Sequence, residues 1–417
     1  MTACAVETAG PTEFTVTADG AYAARLALGE GTGDAWFPER WTLDGPEPYA
    51  VPLPLDQPEE PDTRVLPLAD GRVLVCRRVA DRHDLSLLYP TGPGTGQLPV
   101  GSVPGPGLTL LPPSPDGRRA YALSAGARST TVWLVAGGAF GPERVAEVPG
   151  RCAGGVWLDR TGRILALDRE TDGVVKAVAV DLARGGEATP LLQITEESND
   201  RLLLADPDSG LLLIRSDAPG HDRLGWGVLG SRRPVRFPEC LRPADRAVTP
   251  FAVQPGQVLM PESCAVALRI DGPAGSWVGV WRPAGRRLHE WPAPRGWLAG
   301  AGLWTREGVL RLPYATDTVR CGVASLHAPA DVPVPAGVPA PMDVPVPVDL
   351  PLPADVQAPV DVPVPVGRPH QDGVLGTAHP DRTESADREP SGAPRTPALC
   401  RPVPLQQAPL TGRGAPG

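Results

Sequence analysis

Apolar residues recur along this chain in short runs set apart by tight polar turns. The clearest stretch is 108–150, LTLLPPSPDGRRAYALSAGARSTTVWLVAGGAFGPERVAEVPG. Its first run, Leu108–Leu111, is followed by an Asp116-Gly117 turn and a second run, Ala120–Leu123. A polar loop leads to a third run, Val132–Val135, and a Gly-rich loop to a fourth, Val145–Val148, closed by Pro149-Gly150. Short β-rich runs bounded by turn residues of this kind predict one antiparallel meander of four strands.

The unit repeats. The turn after its first strand reads Asp19-Gly20, Asp70-Gly71, Asp116-Gly117, Thr161-Gly162, Ser209-Gly210, Pro255-Gly256 and Glu307-Gly308, so successive glycines lie 51, 46, 45, 48, 46 and 52 residues apart. Glycine supplies the positive φ that a two-residue hairpin of the primed type needs. One such turn is a weak signal; seven at a near-constant period make a repeat architecture. Second strands are expected at 21–28, 72–79, 118–125, 163–169, 211–216, 257–262 and 309–314. Third strands are expected at 35–43, 85–90, 130–135, 174–182, 224–230, 276–283 and 320–327. Their Val, Leu, Ala and Trp content suits strands covered on both faces. Fourth strands are expected at 49–54, 96–101, 144–150, 189–195, 234–239 and 288–294, and all but 189–195 carry Pro near the far end. Proline cannot donate to a ladder, so it belongs on an outer edge, where it also blocks edge-to-edge association.

These units predict an all-β fold, a seven-bladed β-propeller of four-stranded antiparallel blades over 12–337. The segment SPDGRRAYAL, 114–123, resembles the Ser-Pro-Asp-Gly hairpin of TolB-type and WD40-like propeller repeats. The other units keep the turn and lose the rest, and the Trp-Asp dipeptide of true WD40 repeats is absent. The resemblance is one of fold, and a fold carries no function by itself. The last unit finds its fourth strand either in DVPVP (331–335) or in TACAVE (2–7) of an N-terminal segment, 1–11. Beyond the ring, 338–369 repeats Val-Pro and Asp-Val-Pro, which biases it towards a polyproline II spacer. Residues 370–417 have few large apolar side chains and are expected to be a disordered tail.

Composition narrows the function classes. The chain holds 54 Pro and 48 Gly, in keeping with many turns and a Pro-rich tail. Its formal charge of −9 and the absence of a Lys/Arg run argue against nucleic acid as a partner. Lysine occurs once, at Lys176; every other basic residue apart from histidine is Arg. Seven scattered cysteines with no CxxC point to reduced, mostly buried thiols. The N-terminus has neither a basic nor an apolar signal region, and no apolar run approaches a membrane span. The expectation is a cytoplasmic monomer with no membrane association, cofactor or metal.

Candidate chemistry is expected on the face where fourth strands lead into first strands and second into third. His83 and Asp84 precede one third strand and His221 and Asp222 another; on this face they are the candidates for acid/base work. Glu170, Asp172 and Asp317 hold similar places, and Glu196, Glu197 and Asp200 enter the fifth unit. The alternative is that such acids merely cap hairpins. Arg64, Arg201, Arg242 and Arg246 lie at entries to first strands, where they either receive an anion or are solvated loop charge. Arg64, Arg201, Glu170, Asp172 and Asp200 form the ligand-binding set. Trp226, Trp277, Trp281, Trp133 and Trp157 read as packing, whereas Trp291 and Trp297 read as an exposed partner surface. No Gly-x-Ser-x-Gly elbow, phosphate loop or dinucleotide fingerprint is present. The resulting expectation is a non-catalytic binding or scaffold module for a protein partner or a small anionic ligand. The alternative is a lactonase- or lyase-like enzyme at the channel mouth.

Overall fold

The computed structural model describes residues 14–29, 35–258, 260–273 and 275–329. The segments 2–7, 331–335, 338–369 and 370–417 lie outside the described residues. The repeat's seven glycines all have positive φ, from +64° at Gly117 to +86° at Gly256. The turns are longer than the expected two-residue hairpins. Gly20, Gly71, Gly117 and Gly308 each donate their N–H to the carbonyl three residues back. Side chains hold these longer loops together. Ser114 Oγ donates to Asp116 Oδ1 (2.7 Å) and to the Arg119 carbonyl (2.6 Å), and Asp116 accepts from Arg118 N–H. Thr17 and Asp19 repeat the arrangement in the first unit.

The strands follow in chain order. β1 (Thr15–Val16), β2 (Tyr22–Leu28), β3 (Trp36–Thr42) and β4 (Tyr49–Pro52) pair consecutively and antiparallel. So do β5 (Arg64–Pro67), β6 (Val73–Val79), β7 (Arg82–Pro90) and β8 (Thr95–Pro104). The next sheet contains β9 (Thr109–Leu110), β10 (Ala120–Ala125), β11 (Ser129–Ala136) and β12 (Glu143–Pro149). β13 (Arg151–Trp157), β14 (Ile164–Thr171), β15 (Val174–Asp181) and β16 (Glu187–Leu192) come after it. A single parallel bridge, Lys176 to Asp200, joins them to β17 (Asp200–Ala205), β18 (Leu211–Ser216) and β19 (Arg223–Val228). β20 (Ala247–Val253), β21 (Val266–Gly272), β22 (Gly275–Trp281) and β23 (His289–Pro292) form another four-stranded sheet. β24 (Leu303–Trp304), β25 (Val309–Tyr314) and β26 (Gly322–His327) end the described chain.

The core lies between these sheets. On β14, Leu165 and Leu167 pack towards Tyr121, Leu123 and Val132 of the preceding sheet, while Ala166 packs with Leu212 and Ile214 of the following one. On β18 the alternation continues: Leu211 and Leu213 turn to Val266 and Leu268. A strand buried on both faces needs an unbroken apolar run, which is why these second strands show no polar alternation. Each cluster joins one sheet to the next. The last sheet then packs on the first, with Leu298, Ala315 and Val323 against Ala23 and Trp41. Arg311 also donates to the Leu43 carbonyl across this contact, at 2.9 Å.

Three expected strands differ. The middle strand after Gly256 is Val266–Gly272, not 257–262, where Pro261 opens a 3-10 turn and Val258 and Met260 are exposed. Proline lacks an N–H for the ladder and fixes φ, which disfavours a strand paired on both sides. The segment 234–239, bracketed by Pro234 and Pro238, makes only the bridge Trp226–Arg236. The third strand of the second sheet begins at Arg82, so residues expected in a loop lie within it.

Candidate functional site

The first strands run along the middle of the assembly. Four of them, β13, β17, β20 and β24, line a cavity of about 810 Å³ that opens among the first-to-second-strand turns. Val156, Trp157, Leu203, Leu204, Val253, Leu303 and Trp304 make its apolar wall, and Pro112, Pro113, Pro115, Pro207 and Pro255 stand around it. Its volume falls in the range of small-ligand sites. This is the face opposite to the one on which the sequence places the candidate residues.

The charges at this cavity are Asp19, Asp44, Asp206, Asp208, Arg160, Arg306 and Arg311. Some are committed to the fold. Asp206 is buried and accepts from Ser209 N–H (3.0 Å) and Ser209 Oγ (2.6 Å). Asp19 accepts from Thr17 Oγ1 and Ala21 N–H. Asp208 ties three turns together: Arg160 donates both Nε and a terminal nitrogen to its two oxygens, and Gly256 N–H donates to it at 3.0 Å. The Arg160 guanidinium first, and Arg306 through space, hold the Asp208 carboxyl below its ordinary range. Arg306 is exposed at the rim and makes no ion pair with any described residue. Trp304, on the wall, carries a buried indole N–H without a partner among the described residues.

The spacing within the repeat explains why sequence reasoning missed these residues. The position two before the turn glycine holds Ala18, Ala69 and Pro115 in three units, but Arg160, Asp208 and Arg306 in others. Charge at a place otherwise held by small or apolar residues was the available signal.

The candidates on the other face are scattered. His83 is buried within β7, between Arg78 and Val103 in register, and is not a loop residue. Burial, and after it the Arg78 charge, lower the pKa of its imidazole. Asp84 pairs with Arg82 at 2.8 Å on the surface. His221 is exposed in the loop before β19, and Asp222 beside it lies 3.7 Å from Arg215. Neither histidine lines the cavity. Asp172, at φ +51° ahead of Gly173, is a hairpin residue, and Glu170 is exposed at the end of β14. Arg64 is exposed on β5, and Arg201 pairs with Asp168 at 3.5 Å. Arg246 pairs with Glu290, while Arg242, Glu196, Glu197 and Asp317 are exposed.

Asp200 opens β17 and turns inward beneath the entry loop, away from solvent. It is completely buried and accepts from Lys176 Nζ (2.8 Å), Ile194 N–H (2.9 Å), Ser198 Oγ (2.9 Å) and Ser216 Oγ (2.6 Å). Trp297 is buried as well, with its indole donating to the Ala301 carbonyl at 2.8 Å and its ring against Phe251, so it offers no partner surface. Trp291 is half-buried and stacks on His289. Trp226, Trp281 and Trp157 are buried in inter-sheet contacts. Among the described residues no group of three or more His, Cys, Asp or Glu is placed to hold a metal ion, and no helix is long and apolar enough to cross a membrane.

The fold is all-β and resembles the β-propellers. No protein-family model matches the sequence, and no curated protein matches it. Among solved structures, the chain is similar to the β-propeller domain of the trilobed protease from Pyrococcus furiosus, at 11% identity and a TM-score of 0.47, covering 75% of this chain and 94% of that one. It is similar to TolB from Acinetobacter baumannii at 12% identity and a TM-score of 0.35, covering 67% and 54% of the two chains. Prolyl oligopeptidase B from Galerina marginata is similar at 11% identity and a TM-score of 0.45, covering 75% and 50%. The chain thus spans about half the length of the last two. These likenesses lend no support to any particular function.

Proposed function

We propose that the chain is a non-catalytic binding module, a seven-bladed ring whose central channel takes a ligand from the side of the first-to-second-strand turns. The sheets succeed one another around the core and the last packs on the first, which supports a closed ring. The observation that carries the functional reading is the cavity of about 810 Å³ with Arg306 unpaired among the described residues at its rim. Its wall is apolar, and its fixed aspartates oppose a polyanion. A ligand with an apolar body and a single carboxylate suits both: the body covers Trp157, Leu203 and Leu303, and the carboxylate meets the Arg306 guanidinium. Of the lining carboxylates, Asp19, Asp206 and Asp208 are already held by turn hydrogen bonds or the Arg160 ion pair, which favours binding over reaction.

Titration of the full chain with capped apolar di- and tripeptides, as free carboxylates and as carboxamides, tests this. Trp157 and Trp304 serve as fluorescence reporters. Carboxylates should bind about tenfold more tightly than their amides, and Arg306→Ala should remove that preference. Equal binding of both forms, or no binding at millimolar concentration, refutes the reading.

A further inference from the structure

The described chain ends beside this cavity. Ala328 N–H donates to the carbonyl of Gly308 at 2.9 Å, and Gly308 closes the turn that carries Arg306. Arg282 donates to the Pro329 carbonyl at 2.7 Å, so the described chain ends on the face of the turns among which the cavity opens. The sequence beyond Pro329 matches the wall chemically. Between Arg320 and Arg368 there is no Lys or Arg, and MDVPVPVDLPLPADVQA (342–358) sets Asp343, Asp349 and Asp355 six residues apart among Val, Leu and Pro. That is an apolar chain with sparse, isolated carboxylates, the ligand chemistry argued above for a mostly apolar wall with one unpaired guanidinium. It is also poor in backbone N–H, so little polar backbone would be desolvated against a rim of prolines.

We infer that residues 338–358 dock across the channel mouth of their own chain, with one of these aspartates on Arg306, and that they compete there with the external ligand. The inference rests on the proposed binding role of the channel. Reach is ample, since the roughly fifteen residues from Ala328 to Asp343 span about 45 Å in an extended polyproline form. Tethering makes weak contacts sufficient: at an effective concentration on the order of 1 mM, a site with a Kd of about 0.25 mM protects the segment about fivefold.

Limited digestion of the full chain with a protease that cuts before aspartate reads this directly. Cleavage before Asp343, Asp349 and Asp355 is compared with cleavage before Asp372, Asp381 and Asp387, and the ratio is normalised to synthetic peptides of the same sequences. The expected result is about fivefold protection of the first group, lost in Arg306→Glu and in high salt. Arg306→Gln, with a thermal melt on each variant, guards against misfolding. A normalised ratio near one, or one unmoved by both Arg306 variants, overturns the inference. So does protection that rises with protein concentration, which would place the segment on a second copy. If Arg306 variants lose carboxylate binding but not segment protection, the docking proposal alone fails. If they change neither, both readings fail.

Discussion

Truncating Asp200 will cost more stability than removing its only cationic partner, Lys176. The carboxylate is completely buried and receives four hydrogen bonds, from Lys176, Ile194, Ser198 and Ser216. The ammonium depends on the carboxylate for its charge balance, because its other acceptors, the carbonyls of Thr195 and Ser198, are neutral. In Asp200→Ala a largely buried cation loses its counter-charge, which costs about 3–5 kcal/mol. The Ile194 N–H and the Ser216 hydroxyl lose their acceptor at the same time, so at least about 4 kcal/mol is expected in all. In Lys176→Met the carboxylate also loses its counter-charge, but it keeps three donors and the methionine fills the space of the lysine stem, so about 2–3 kcal/mol is expected. Against a total stability of about 5–15 kcal/mol, the first change is a large fraction. Urea unfolding at pH 7, with the slope checked for constancy, measures both. A loss for Lys176→Met equal to or above that for Asp200→Ala would refute the reasoning, because the carboxylate would then depend on the lysine rather than on its four donors together.

Three further outcomes are expected. Burial raises the Asp168 carboxyl to about 6, against an ordinary 3.8, despite Leu202 N–H and Arg201. Between these values the folded chain binds more protons than the unfolded one, so stability falls as pH rises through about 4 to 6 and the whole penalty stands above it. Asp168→Asn should gain about 1–3 kcal/mol at pH 7.5 and nothing at pH 4; a loss at both would show Arg201 outweighing burial. Gly117→Ala puts a Cβ 2.6 Å from that of Ala69 at φ +64°, whereas Gly173→Ala, at φ +82°, meets nothing within 4 Å. The first should lower the melting temperature clearly more than the second, which carries only the left-handed strain of about 1–2 kcal/mol. Burial pushes the thiols of Cys76 and Cys264 up to about 11 and that of Cys321 to about 12, so mapping by mass spectrometry should find their alkylation at pH 8 on the order of a hundredfold slower than in urea.

The repeat was legible because each unit must solve the same problem at the same place. Seven turns need a left-handed residue, so glycine marks them, and the middle strands are covered on both sides, so they read as apolar runs. The reading failed where neighbouring chemistry overrode the local pattern. QVLMPE looks like a strand, but Pro261 opens a 3-10 turn there, and Val266–Gly272 takes its place. The apparent fourth strand at 234–239 is likewise stopped by its own prolines.

The site was harder to see because the acids that recur most regularly are the least available. Asp19, Asp116 and Asp206 sit where the repeat needs an acceptor for turn N–H or hydroxyl groups, and their recurrence reflects that need. Asp200, which looked like a loop acid, neutralises the only lysine between two sheets. The compact Lys176 ammonium donates to two carbonyls and the carboxylate at once, a convergent set that suits a point charge better than a planar guanidinium fork. Function has to be sought instead where a unit departs from the repeat without a turn to stabilise. Arg306 is such a departure: it stands where three other units hold Ala or Pro, lines the cavity and makes no ion pair with a described residue. A charge that makes no ion pair with a described residue, beside a cavity, is the feature a ligand would answer.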